Sequence, residues 1–339
     1  MGRGIGALEA SAEWLDARRR RRVFLGQAAG VGLSTILPPA FAQSGKGIRL
    51  LALEVGAQSD MLARALQPGL SNALDTPVVV ENYGGAGGKI AAQMALRSEP
   101  DGNTLLVGGA NNMVMSPLLS NSAGYDPVRD FVVLAPIATV PFAVAASTQL
   151  GVTDLPSLIA AARTAKQPLS GGSAGVGGSA HVALEVLFHQ LSLPLLHVPF
   201  RGTATASHEV VAGRLDLVVT DLPRLLPLAR DGRLRILGVT GSRRSVLAPE
   251  IPTIAEQGAG GFRVEPWYAL YCRTDVARSR ADLLASTVQR ISAEAAYLAQ
   301  LQRIGFERWN DTTDAVNARM KQDRERVLAL VASGLLRRE

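Results

Sequence analysis

The chain has 339 residues, with 35 Lys and Arg against 29 Asp and Glu, four His and one Cys. That length is enough for two domains and a large core, and a single cysteine excludes an internal disulfide. The net charge of +6 comes without Lys and Arg clustered among aromatics after residue 42, which argues against a nucleic-acid surface.

Residues 1–42 read as an export signal. A basic run, Arg18 to Arg22, precedes Val23-Phe24-Leu25, a Gly/Ala-rich apolar stretch to Leu37 and then Pro38-Pro39-Ala40-Phe41-Ala42, with the cut expected after Ala42. The apolar part is too short to span a bilayer. Arg21-Arg22-Val23-Phe24-Leu25 fits the twin-arginine consensus, which implies export of a folded chain, an ordinary secretory signal with surplus arginines being the alternative. Its removal takes away six basic and three acidic residues and leaves 297 residues with 29 basic and 26 acidic ones, a net charge of +3.

Strand-like and helix-like runs then alternate. A strand is expected at Ile48 to Leu53, a helix at Asp60 to Leu74, a strand at Pro77 to Val80, a helix at Lys89 to Arg97 and a strand at Thr104 to Val107. The alternation returns from Ser157 to Thr240. It predicts an α/β protein with parallel sheets, helices on both faces and ligands at the C-terminal ends of strands. After Arg273 the pattern is helical, at Ala281 to Leu301 and Thr313 to Leu330. Cys272 lies in the apolar run Tyr268 to Cys272, where burial is expected.

The Gly-rich stretch Gly171 to His181, running into a periodic helix, is the candidate functional loop. Gly171-Gly172-Ser173-Ala174-Gly175 fits G-x-S-x-G, but the chain order of Ser, acid and His that a hydrolase of that fold needs is not met. Gly175 to Ala180 fits G-x-G-x-x-A, but the acid expected about 20 residues on is missing. An anion-binding loop at a helix start remains, against a Gly-rich connection that merely turns. Metal binding is not expected: His181, His189, His197 and His208 fall on different elements, and His208-Glu209 lacks the second histidine of a zinc helix. Gly84 to Lys89 does not form a phosphate loop, so no cofactor is expected.

Several segments, taken together and in order, resemble the Bug-type substrate-binding proteins of tripartite tricarboxylate transporters. They are Val78 to Gly88, Pro100 to Leu106, Tyr125 to Phe131, Gly172 to Gly175, His197 to Gly202, Gly213 to Asp216 and Ile251 to Glu256. The resemblance implies two Rossmann-like lobes in a type II periplasmic binding protein architecture, with a ligand cleft between them and no enzymatic activity. Lobe 1 would take residues 43–142 and 273–339 and lobe 2 residues 143–272, with crossings at Phe142 to Ser147 and Tyr268 to Arg273. It implies a periplasmic monomer that captures a small organic acid or amino-acid-like ligand for transporter membrane subunits or a sensor kinase.

The ligand residues carried over are Gly56, Ala57, Ser59 and Asp60 in the first loop, then Ser173, Ala174, Gly175, Gly177, Ser179 and His181 in the second, with Thr203 and Asp221 beyond. Ser59 is expected to cap the first helix, and His181, Asp60 and Asp221 have structural capping or packing roles as alternatives. Glu54 departs from the family pattern: it either points outward or selects an amide or amine over an acid. Two other functions stay open, a periplasmic serine hydrolase using Ser173 and a binding protein whose pocket has degenerated.

Overall fold

The computed structural model describes residues 47–120, 122–336 and 338. The expected export signal, its cut after Ala42 and the Arg21-Arg22 pair lie outside the described residues. Among the described residues no helix is long and apolar enough to cross a membrane.

The first part of the chain alternates as its patterning dictates. Strand β1 (Ile48–Ala52), helix α1 (Gln58–Leu74), strand β2 (Val78–Asn82), helix α2 (Lys89–Arg97) and strand β3 (Thr104–Gly109) follow one another. In α1, Leu62, Leu66 and Leu70 recur every four residues and are fully buried, so one stripe of the helix is committed to the core. All six residues of β3 are buried, as a central strand covered on both faces requires. A five-residue π-helix, Asn111–Met115, follows β3 directly.

Strand β4 (Phe131–Thr139) and strand β5 (Phe142–Ser147) are separated by only Val140 and Pro141. Then come α3 (Leu155–Thr164), β6 (Leu169–Ser173), α4 (Ser179–Gln190), β7 (Leu195–Pro199), α5 (Thr203–Val211), β8 (Leu217–Asp221), α6 (Leu222–Arg230) and β9 (Leu234–Val239). Strand β10 (Trp267–Arg273), helices α7 (Arg278–Ile291) and α8 (Ala295–Arg303), strand β11 (Glu307–Arg308) and helix α9 (Thr313–Ala332) complete the fold.

The strands form two sheets, ordered β11-β4-β10-β3-β1-β2 and β7-β6-β8-β5-β9. Each is mixed rather than parallel throughout. β1 runs parallel to β2 and β3, and β6 runs parallel to β7 and β8. β10 is antiparallel to β3 and β4, and β5 is antiparallel to β8 and β9. The expectation of parallel sheets fails at the strands flanking the passages between lobes, because antiparallel pairing needs no helical crossover.

The segments expected to cross, Phe142 to Ser147 and Tyr268 to Arg273, each pair within one sheet. The chain instead passes between sheets at Val140-Pro141 and through residues 240–266. The passages are tied together by the Val140 N–H, which donates to the Pro266 carbonyl at 2.9 Å, and the first passage is anchored to the start of α6 by the Leu222 N–H, which donates to the Pro141 carbonyl at 2.7 Å.

One apolar core fills the six-stranded lobe and continues through Leu184, Leu187 and Phe188 of α4; a second lies on the other face of the five-stranded sheet around Ala206, Val210, Val218 and Leu225. Alternate residues of β5 serve the two, Val144 and Ala146 against Ala143 and Ala145. The single long helix expected from Ala281 to Leu301 is broken after Ile291, where Ser292 turns its hydroxyl onto the Gln289 carbonyl at 2.8 Å. The break brings Tyr297 and Leu301 into the core. Cys272 is buried and unpaired, as expected.

Candidate functional site

Helices α1, α4 and α5 all start without a side-chain cap: their N-cap residues are Ala57, Gly178 and Gly202. The first-turn N–H groups of such helices are unpaired and carry the positive end of the macrodipole. Residues from all three starts, Gln58, Gly178 with Ser179, Ala180 and His181, and Thr203, line one cavity of about 290 Å³. The remaining walls come from Ala174, Gly175, Asp221, Ala110, Asn111, Phe142, Pro266 and Tyr268, so both sheets contribute. An apolar cavity of about 640 Å³ lies elsewhere, between β4, β10 and α9, but none of the candidate ligand residues reaches it.

The first loop is held open by its own side chains. The buried Ser59 hydroxyl accepts the Leu53 N–H at 3.0 Å, tying the loop to the end of β1 rather than capping α1 as expected. Asp60, also buried, accepts the Gly56 N–H and the Asn82 amide, each at 2.9 Å, and pairs with Arg64 at 2.9 Å. Burial works against its charge, but the hydrogen bonds from Arg64, Gly56 and Asn82 outweigh it and keep the carboxyl below its ordinary value. Gly56, with φ of 77°, makes the turn. Gly56, Ala57, Ser59 and Asp60 therefore shape the loop without lining the cavity, and Gln58 between them is the residue that enters it. Glu54 is exposed and accepts the Gly85 N–H at 3.3 Å, away from the cavity. Of the two expectations for it, the outward one holds.

The second loop is built on a buried knot. Ser173 is fully buried at the end of β6; its Oγ donates to the Gly175 carbonyl at 2.9 Å, accepts the Gly175 N–H at 3.2 Å and contacts His197 Nε2 at 2.7 Å. Gly175 and Gly177 take φ of 129° and 76°, which the turn requires. The Gly177 N–H donates to His181 Nδ1 at 3.0 Å, which leaves the ring proton on Nε2, facing Glu185 Oε1 at 3.3 Å. The His181 and His197 rings stack with centroids 3.7 Å apart. Burial, and then the neighbouring His181, push His197 down to about 4, so it is neutral at neutral pH. Ser173 and Gly177 thus position the loop, whereas Ala174, Gly175, Ser179 and His181 line the cavity.

Asp221 ends β8 and opens α6, yet its side chain caps nothing. Its Oδ1 accepts the Gln58 amide at 2.8 Å, and Gln58 Oε1 in turn accepts the Tyr268 hydroxyl at 2.7 Å. Burial raises the Asp221 carboxyl above its ordinary value against the opposing pull of Arg224 and Gln58. Gln58 and Tyr268 are functional candidates that the sequence reading missed, because an amide and a phenol have no signature in an acid-binding loop. No group of three or more metal-ligating side chains is present among the described residues.

The family described as "Tripartite tricarboxylate transporter family receptor" matches residues 62–333. The chain is 30% identical over 277 residues to a UPF0065 protein of Pseudomonas sp. (strain P51), covering 81% of this chain and 82% of that one. Among solved structures, it is similar to R. palustris Rpa4515 with adipate, at 26% identity and a TM-score of 0.71, covering 84% of this chain and 96% of that one. It is likewise similar to the periplasmic binding protein BugD, at 25% identity and a TM-score of 0.68, covering 86% of this chain and 98% of that one. With its two α/β lobes and the cavity between their sheets, the chain belongs to the tripartite tricarboxylate transporter receptor family, whose members are solute-binding proteins.

Proposed function

We propose that the protein is a periplasmic receptor that closes its two lobes on a small carboxylate and presents it to transporter membrane subunits, without chemical change to the ligand. The observation that carries this is the convergence of three uncapped helix starts on one small cavity between the sheets. Oriented N–H groups hold a carboxylate without arginine or lysine, and neither lines this cavity. The adipate-bound relative supports the same ligand class. The lobes on this reading divide at the observed passages, the six-stranded sheet up to Val140 and from Trp267 onward forming one and the five-stranded sheet from Phe142 to Val239 the other, and hinge closure occurs about Val140-Pro141 and residues 240–266. Residues 1–42 direct export and are removed.

Thermal unfolding of residues 43–339 against mono- and dicarboxylates, amino acids, aromatic acids and amides tests the proposal. A ligand at 100 times its dissociation constant adds about 2.7 kcal/mol, read as a higher midpoint. A midpoint unmoved by every carboxylate overturns it.

A serine hydrolase is the second reading, and the Ser173–His197 contact favours it. Against it, Ser173 is fully buried, and Glu185 pairs with His181 rather than with His197. Ester hydrolysis that disappears in Ser173→Ala would establish it.

A further inference from the structure

The apolar cavity of about 640 Å³ belongs to the six-stranded lobe and shares no lining residue with the cleft. One wall is Phe131, Val132 and Val133 of β4 with Tyr271 of β10, continued by Met113 and Val114 of the π-helix. Tyr271 supplies this wall's one hydroxyl, which donates to the Met320 sulfur at 3.4 Å, so the wall offers a ligand apolar contact and no strong hydrogen bond. The facing wall is α9, from which Thr313, Asn317, Met320, Lys321 and Arg324 fall on one side of the helix. A helix ordinarily sets its apolar stripe against a sheet, whereas here polar and charged residues face the apolar wall across the cavity.

The lining divides by depth. Met113, Phe131 and Tyr271, at 3%, 5% and 0% exposure, form the floor, which a slender chain reaches and a flat protein face does not. Val128, Val132, Asn317, Lys321 and Arg324 are exposed and mark the mouth. The two charged residues of the lining, Lys321 and Arg324, are both basic, and neither makes an ion pair or a hydrogen bond among the described residues. Two unpaired cations at the mouth of an apolar cavity complement an anionic head on an apolar body. The volume is that of a site for a small organic ligand.

We propose that the six-stranded lobe carries a second ligand site, separate from the cleft, for a monocarboxylate with a long alkyl chain. The chain lies on the wall of β4 and β10, and the carboxylate meets Lys321 and Arg324.

Calorimetric titration of residues 43–339 tests this with saturated fatty acids from butanoate to dodecanoate, below the concentrations at which they form micelles, and with the alcohols of the same lengths. Affinity is expected to rise about fourfold per added methylene until the cavity is full. Each acid is expected to bind about fivefold more tightly than its alcohol, the pairing being at an exposed mouth. With Lys321→Gln and Arg324→Gln together the acids fall to the affinity of the alcohols. Val132→Trp, which narrows the mouth from an exposed strand position, weakens both series. Circular dichroism establishes that each variant is folded. Fatty acids that bind the parent and both variants alike lie elsewhere and overturn the proposal, as does a series without dependence on chain length, or no binding at all. A dimer in analytical ultracentrifugation that Val132→Trp disrupts and fatty acids leave unmoved would assign the face to a second copy of the chain, and overturns it too. None of these results bears on short carboxylates in the cleft, whose binding is expected to be the same in the parent and the variants.

Discussion

At the scale of single residues, the histidine pair under the second loop couples that loop to pH. The His181 Nδ1 must stay unprotonated to accept the Gly177 N–H, and His197, stacked on it, is held near 4 by burial and by His181, with Glu185 as the one opposing charge. A histidine whose folded value lies below its ordinary one of about 6.5 contributes stability that is complete above that value. The contribution is lost as pH falls from there towards about 4, because the unfolded chain takes up the proton first. Urea unfolding is expected to show about 1 to 2 kcal/mol lost between pH 7 and pH 5, with the slope much reduced in His197→Gln. Equal slopes in the two proteins would remove this account. Low-lying carboxyls such as Asp60 and Glu81 add their own loss only at lower pH.

At the scale of elements, the join between β6 and α4 is decided by backbone rather than by contacts. A Cβ added at Gly175 would meet nothing within 4 Å, but φ there is 129°. Gly175→Val therefore costs conformational energy, about 1–3 kcal/mol, and reaims the first turn of α4. Lower thermal stability together with lost carboxylate binding is the expected outcome, and unimpaired binding would show that this helix start does not face the ligand.

The Gly-rich run before a periodic helix made this element legible in the sequence, as did the alternation of strand and helix up to Val107, since both follow from local periodicity and turn chemistry. Strand direction was not legible. β5 and β10 read as short apolar runs whichever way they lie, and only their partners set them antiparallel. The meeting of Gln58, Asp221 and Tyr268 was equally hidden. These residues stand 163 and 210 positions apart, and nothing local in an amide or a phenol announces a distant carboxylate. Ser173 and His197 were both visible as residue types, but their contact depends on the parallel register of β6 with β7.

At the scale of the whole molecule, the hydrogen-bonded chain from Tyr268 through Gln58 to Asp221 links the two sheets with the protein's own side chains. Such a link favours closure whether or not a ligand also bridges the lobes. Gln58→Leu removes it. Small-angle scattering of the ligand-free variant is expected to give a larger radius of gyration than the parent protein, with a greater contraction on carboxylate binding; identical radii would show that the link has no part in closure.

The passages between the lobes have a consequence of another kind. The Val140 N–H reaches the Pro266 carbonyl at 2.9 Å, so the chain leaves the six-stranded lobe and re-enters it at neighbouring points. Everything between is, topologically, an insertion whose ends already meet. Replacing residues 141–265 by a short turn need not stretch the parent lobe, and grafting the corresponding stretch of a relative at the same two points should exchange the β6–α4, β7–α5 and β8 contributions as one cassette. Recombination at this seam gives a lineage a way to change cargo while keeping the lobe that carries both ends of the described chain.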